Sequence, residues 1–180
     1  MNTSELASGF GVAHTTVRRY LELLVDTFMV RTLQPWHENL GKRQVKTPKI
    51  YFRDSGLLHT LLGQRTQSDL ERHPKLGASF EGFALDQVVR RLGATRDECF
   101  FWATYAGAEL DLLVVRGNRR YGFEFKHTDA PGTTKSTAIA VADLRLDRLD
   151  IVHAGTETYP LTKGVRALAL QRLQTDLQPL

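Results

Sequence analysis

Cys99 is the only cysteine among 180 residues, which excludes an internal disulfide and any cysteine-rich zinc site. No apolar run approaches the about 20 residues of a membrane span, and no basic-plus-apolar start marks a signal peptide. The expectation is a cytoplasmic protein with no membrane contact. No G-x-x-x-x-G-K-[ST] occurs, so this chain holds no nucleotide through a P-loop. The six histidines lack metal-ligand spacing, no Ser-His-Asp arrangement is legible, and there are no repeats or low-complexity tracts. What remains is a formal charge of +4, which permits acidic partners without demanding them. The length accommodates one ordinary domain or two small ones.

The most informative stretch runs from Glu109 to Lys126, E-L-D-L-L-V-V-R-G-N-R-R-Y-G-F-E-F-K. Two β-rich runs flank Gly117-Asn118, a two-residue turn signal, so the stretch reads as a β-hairpin. A tight turn places Asp111 opposite Glu124 and Glu109 opposite Lys126. Alternation then puts these four charges on one face, with Leu110, Leu112, Val114, Tyr121, Phe123 and Phe125 on the other. Facing carboxylates roughly 5 Å apart repel by about 3 kcal/mol at an effective dielectric near 20. A divalent cation compensates best, with the Lys126 ammonium as additional or alternative partner. A plain salt-bridge cluster of Glu109, Asp111 and Lys126 is the competing reading.

Earlier in the chain, Ala7, Gly11 and Val17 have the spacing of a helix-turn-helix. Its second helix is expected to bury Val17, Tyr20, Leu21, Leu24 and Phe28, leaving His14, Thr15, Arg18 and Arg19 on the other side. Val30 to Leu33 and Lys49 to Phe52 read as strands joined by a wing. From Lys42 through Arg53 there are five basic residues and no acid, which suits phosphate contacts or merely a solvated loop. The set expected to touch duplex DNA is Arg18, Arg19, Lys42, Arg43, Lys46 and Lys49. A helix closes this unit near Leu62, and the polar residues 63–76 read as a linker.

A helix capped at Ser79 runs to Leu92 with Glu81 leaning to its buried side. Strands follow at Cys99 to Tyr105 and through the hairpin, then a helix around Ser136 to Leu146 and strands at Asp150 to His153 and near Thr158 to Leu161. The tail from Val165 is strand or helix. The fold class is α/β (α+β): a partial winged helix in residues 1–62, then an α-β-β-β-α-β unit in residues 77–180.

The combination of Asp111, Glu124 and Lys126 on adjoining strands resembles the PD-(D/E)XK restriction-endonuclease-like superfamily. That resemblance implies that Asp111 and Glu124 bind Mg²⁺ or Mn²⁺ with the Phe125 carbonyl, that Glu81 joins directly or through water, and that Lys126 polarises the attacking water. Across most of the chain, T-T-V-R-R-Y-L-E-L-L, N-L-G-K-R-Q-V-K-T-P-K-I-Y-F-R-D-S-G-L-L-H, H-P-K-L-G-A-S-F-E-G-F, G-A-E-L-D-L-L and G-F-E-F-K resemble the C-terminal region of a large prokaryotic family of AAA-type P-loop ATPases. This implies an ATPase module upstream. Consistently, the chain starts at the cap of the helix-turn-helix's first helix, with no helix before it, as a fragment would. One departure is Trp102-Ala103-Thr104, where such proteins often carry an arginine after the tryptophan. The resemblance leaves three roles: a DNA-binding or regulatory region, a coupling or oligomerisation module, and a divalent-metal-dependent DNA endonuclease.

Overall fold

The computed structural model describes residues 3–180, with side chains from Ala7 onward. Helix α1 (Thr3–Phe10) ends where Gly11 turns left-handed at φ 63, a conformation that costs glycine nothing. Helix α2 (His14–Asp26) follows and packs on α1 and on β1 (Val30–Pro35). Of its expected buried row only Val17 is buried. Tyr20, Leu24 and Phe28 are exposed, because the packing of α2 against α1 and β1 leaves this part of its apolar face uncovered among the described residues.

β1 pairs antiparallel with β2 (Lys49–Phe52), as the winged-helix reading expects. The end of β1, however, runs parallel to β3 (Cys99–Ala103), with Gln34 beside Phe100 and Pro35 beside Phe101. The connection expected as a free wing is bound to β3 as well. Trp36 N–H donates to Phe101 O (2.7 Å), Val45 N–H to Ala103 O (2.9 Å) and Tyr105 N–H to Arg43 O (3.0 Å). The result is one eight-stranded mixed sheet in the order β2-β1-β3-β4-β5-β6-β8-β7, where β4 is Glu109–Arg116, β5 Arg119–Lys126, β6 Arg148–His153, β7 Tyr159–Thr162 and β8 Val165–Ala169. Backbone hydrogen bonding explains the continuity: an edge strand left open by β1 would present unpaired donors and acceptors, which β3 satisfies.

Between the two halves lie α3 (Ser55–Leu61), capped by Asp54, and α4 (Gln67–Glu71), which carries a Thr66/Asp69 capping box inside the expected linker. Helix α5 (Leu76–Leu92) begins three residues before Ser79 and covers one sheet face. Leu85, Val88 and Leu92 meet Phe101, Leu112, Val114, Phe123 and Phe125 there. Helix α6 (Lys135–Leu144) covers the other, where Ala140 and Leu144 meet Trp102, Leu110, Leu113, Leu149 and Ile151. The α-β-β-β-α-β order is thus that of α5, β3, β4, β5, α6 and β6. The undecided tail is strand to Ala169, because Val165, Ala167, Leu168 and Ala169 are buried beside β6. It then becomes helical in α7 (Leu173–Asp176).

The hairpin register is the expected one: Leu112 faces Phe123, Val114 faces Tyr121 and Arg116 faces Arg119. The pairing of β4 with β3 departs from regularity. Phe100 is opposite Leu113, but Trp102 is opposite Leu110, so β4 carries one extra residue. This β-bulge shifts the side-chain phase at Asp111.

Candidate functional site

The bulge redistributes the charges. Leu110 now joins Leu113 on the α6 face, and Asp111 turns toward α5. Asp111 Oδ2 accepts from the Phe125 N–H at 3.1 Å, beyond the last paired residues of the hairpin. Its Oδ1 lies 3.2 Å from Lys49 Nζ. The same ammonium is 3.4 Å from Glu81 Oε1 and is bonded to Glu109. Lys49 and Tyr51 project together from alternate positions of β2, and the Tyr51 hydroxyl donates to Glu81 Oε1 at 2.6 Å. Three carboxylates from α5 and β4 thus surround one ammonium, and Lys49, Glu81 and Glu109 line a cleft of about 400 Å³. The Lys49 ammonium also stands 5.4 Å from the centre of the Phe101 ring.

These groups shift one another strongly. Burial alone would discharge Lys49, but Asp111, Glu81 and Glu109 outweigh it and hold the ammonium well above the ordinary lysine range. Burial, reinforced by Glu81, drives the Tyr51 phenol far up, so it stays a donor. Asp111 is raised to about 6: burial contributes most and Glu81 next, against the pull of Lys49 and the Phe125 N–H.

Glu124 lies on the other face. Its Oε1 accepts from the Thr137 hydroxyl of α6 at 3.1 Å, and its carboxylate is raised by burial against the opposing effect of Lys126. Lys126 Nζ is 3.8 Å from Glu124 Oε2 and extends into solvent. The expectation that Glu109, Asp111, Glu124 and Lys126 share a face is therefore corrected, and the bulge in β4 is the reason. The catalytic trio Asp111, Glu124 and Lys126 is divided between two faces. So is the metal set Glu81, Asp111 and Glu124, of which only Glu81 and Asp111 are brought together. Among the described residues no three His, Cys, Asp or Glu side chains stand where they could hold a metal ion. The donor set does not fit Mg²⁺ or Mn²⁺, because an ammonium takes the centre.

Of the residues expected to contact DNA, Lys49 is withdrawn into this cluster, a correction that follows from its place on a paired strand. Lys42 is bonded to Asp143 at 2.6 Å. Arg43 stacks on Tyr105 with its guanidinium 4.5 Å from the ring centre. Arg18, Arg19 and Lys46 are exposed. Sequence reasoning missed the roles of Lys49, Tyr51 and Glu109. The one signal was the alternation of Lys49 and Tyr51 along a four-residue strand.

Two family models match the sequence. One, described as a domain of unknown function (DUF8612), covers residues 1–68; the other, a domain of unknown function (DUF4143), covers residues 76–173 and so more than half of the chain. The chain belongs to the DUF4143 family. Uncharacterised proteins of Mycobacterium bovis and Mycobacterium tuberculosis are each 48% identical to it over 172 residues. Those 172 residues are 96% of this chain but 38% of each relative, so the DUF4143 chain spans well under half of their length. No solved structure matches it. Among the described residues no helix is long and apolar enough to cross a membrane.

Proposed function

We propose that this DUF4143 chain is the C-terminal DNA-binding or regulatory region of a longer, cytoplasmic AAA-type ATPase, built on a nuclease-like core that does not hydrolyse. One observation carries the non-hydrolytic reading: the Lys49 ammonium lies among Glu81, Glu109 and Asp111 while Glu124 and Lys126 face α6. A metal-dependent nuclease needs its acids and lysine on one side of a single scissile phosphate. Here an internal cation already neutralises part of the acid cluster. The module's remaining assets are its exposed cations and its uncovered α2 face.

Calorimetric titration of Mn²⁺ into the chain is expected to give no saturable heat, and a plasmid-nicking assay no product. Saturable Mn²⁺ binding and nicking, both lost in Asp111→Asn, would replace this reading with the endonuclease alternative.

The nucleic-acid part rests on Arg18, Arg19, Arg43 and Lys46, which are exposed. They suit weak, sequence-independent contact with duplex phosphates. Fluorescence anisotropy with a labelled duplex is expected to show affinity falling steeply with salt. The double reversal Arg43→Glu/Lys46→Glu should reduce the log–log salt slope by about 1 for each phosphate contact removed. An unchanged slope would leave the regulatory role alone.

A further inference from the structure

A second site lies at the edge of the sheet, apart from the Lys49 cluster. Asp86 of α5 is 3% exposed and is shared by three guanidiniums. Arg31 Nη2 stands 2.8 Å from its Oδ1, Arg90 Nε 2.5 Å from its Oδ2, and Arg53 Nε 3.8 Å from its Oδ1. One carboxylate cannot neutralise three arginines; Arg31 and Arg53 are largely enclosed, where unmatched charge is costly, while Arg90 is 65% exposed at the rim. The three, joined by Arg96, wall a cavity of about 360 Å³ whose lining holds no acid among the described residues. Asp54 and Asp86 line the adjoining cavity that shares Phe28, Arg53 and Arg90, and Glu22 and Asp26 line another with Arg18 and Arg96. The C-terminal end of α5 also borders the cavity; its partial negative charge is offset where Gly93 O accepts from Arg116.

Phe28 forms another part of the wall. It ends α2 at φ 60, the left-handed position that favours glycine and that a bulky side chain rarely takes. Strain of this kind persists where surrounding structure or function retains it. The ring is 73% exposed, and the Arg53 guanidinium stands 5.4 Å from its centre. Surplus guanidinium charge beside an open aromatic face suits an anion attached to a planar ring.

We propose that this cavity binds a phosphomonoester bearing a planar base, the chemistry of a 5′-nucleotide, with Arg53, Arg90 and Arg31 on the phosphate and Phe28 under the base. The source is a free nucleotide or the 5′-phosphorylated end of a strand. The site does not include the proposed duplex contacts Arg43 and Lys46, although Arg18 lines the neighbouring cavity.

Calorimetry with adenosine 5′-monophosphate, adenosine and inorganic phosphate tests it. The monophosphate is expected to bind more tightly than either of the others. Arg53→Ala and Arg90→Ala should each weaken it at least about tenfold, since a charge-assisted hydrogen bond is lost. Arg53→Lys, which keeps the charge but not the fork, should fall between. Phe28→Ala should weaken the monophosphate about fivefold and leave inorganic phosphate unchanged. A 12-residue oligothymidylate compared with and without its 5′ phosphate separates the sources: preference for the phosphorylated strand assigns the site to strand ends, and equal binding assigns it to free nucleotide. Absence of monophosphate binding, equal affinity for inorganic phosphate, or binding indifferent to Arg53→Ala and Arg90→Ala would overturn the proposal. The Arg43→Glu/Lys46→Glu variant should bind the monophosphate normally, so failure of the duplex reading is distinguishable from failure here.

Discussion

Replacing Lys49 by methionine is expected to destabilise the protein by about 3 kcal/mol at pH 7.5, measured by urea denaturation, because removing one partner of a largely buried ionic group leaves the others uncompensated. Methionine preserves the length of the stem over Phe101 and removes only the charge. Glu81, Glu109 and Asp111 then repel one another with no cation between them. The sign of the pH dependence follows from the shifts. Lys49 is raised in the folded state, so its stabilising contribution is present at and below neutrality and is lost only at strongly alkaline pH. Toward acid pH Asp111, raised to about 6, protonates and needs the ammonium less, so the mutant's deficit should shrink to about 1 kcal/mol by pH 4. A deficit that stayed constant from pH 4 to 7.5 would mean that Lys49 acts by packing, not by charge.

The opposite outcome is expected for Asp111→Asn, which should make the protein more stable near neutrality. The carboxyl of Asp111 is raised to about 6, first by burial and then by Glu81; in an unfolded chain it would titrate near ~3.9. The folded state therefore holds this proton more tightly, and the stability that it confers below about pH 4 is lost as pH rises through about 6. A rise of that size corresponds to about 3 kcal/mol. Solvent reaches 19% of the side chain, and that screening reduces the effect to about 2 kcal/mol. Asparagine keeps an oxygen for the Phe125 N–H, so only the charge is deleted. The mutant and parent should have equal stability at pH 4 and diverge by pH 7.5. If Asp111→Asn were destabilising at pH 7.5, the attraction of Lys49 would exceed burial and carboxylate repulsion together.

The two substitutions examine one cluster from its two signs. Lys49 stabilises because, among the described residues, it is the cation that the three acids share; Asp111 strains because it is the most enclosed of those acids. Together they decide whether the acid cluster is held closed by its own lysine.

Much of this architecture is local enough to be legible in the chain alone. Gly117-Asn118 sets the hairpin turn, and apolar alternation from Leu112 to Phe123 sets its register; neither depends on distant partners. The helical row of Leu85, Val88 and Leu92 and the order of elements from α5 to β6 follow in the same way from periodicity. The site was only partly legible. Glu81 and Asp111 do meet, but Glu124 does not join them, because the extra residue in β4 is imposed by pairing with β3 on the strand's other edge.

Long-range pairing also decided where Lys49 went. As a basic residue in an acid-free run it read as a phosphate contact, and it became the centre of an acid cluster once β2 and β1 joined the sheet. The helix end at Phe28 belongs to the same class, since its arginine partners come from β1, α5 and the residue after β2. Sequence alone determined the spacing of side chains along each strand and helix, where geometry repeats every 2 or about 3.6 residues. Only the tertiary structure decided which charges meet, because that is set by strand pairing between distant segments, where a one-residue irregularity exchanges the two faces of a strand.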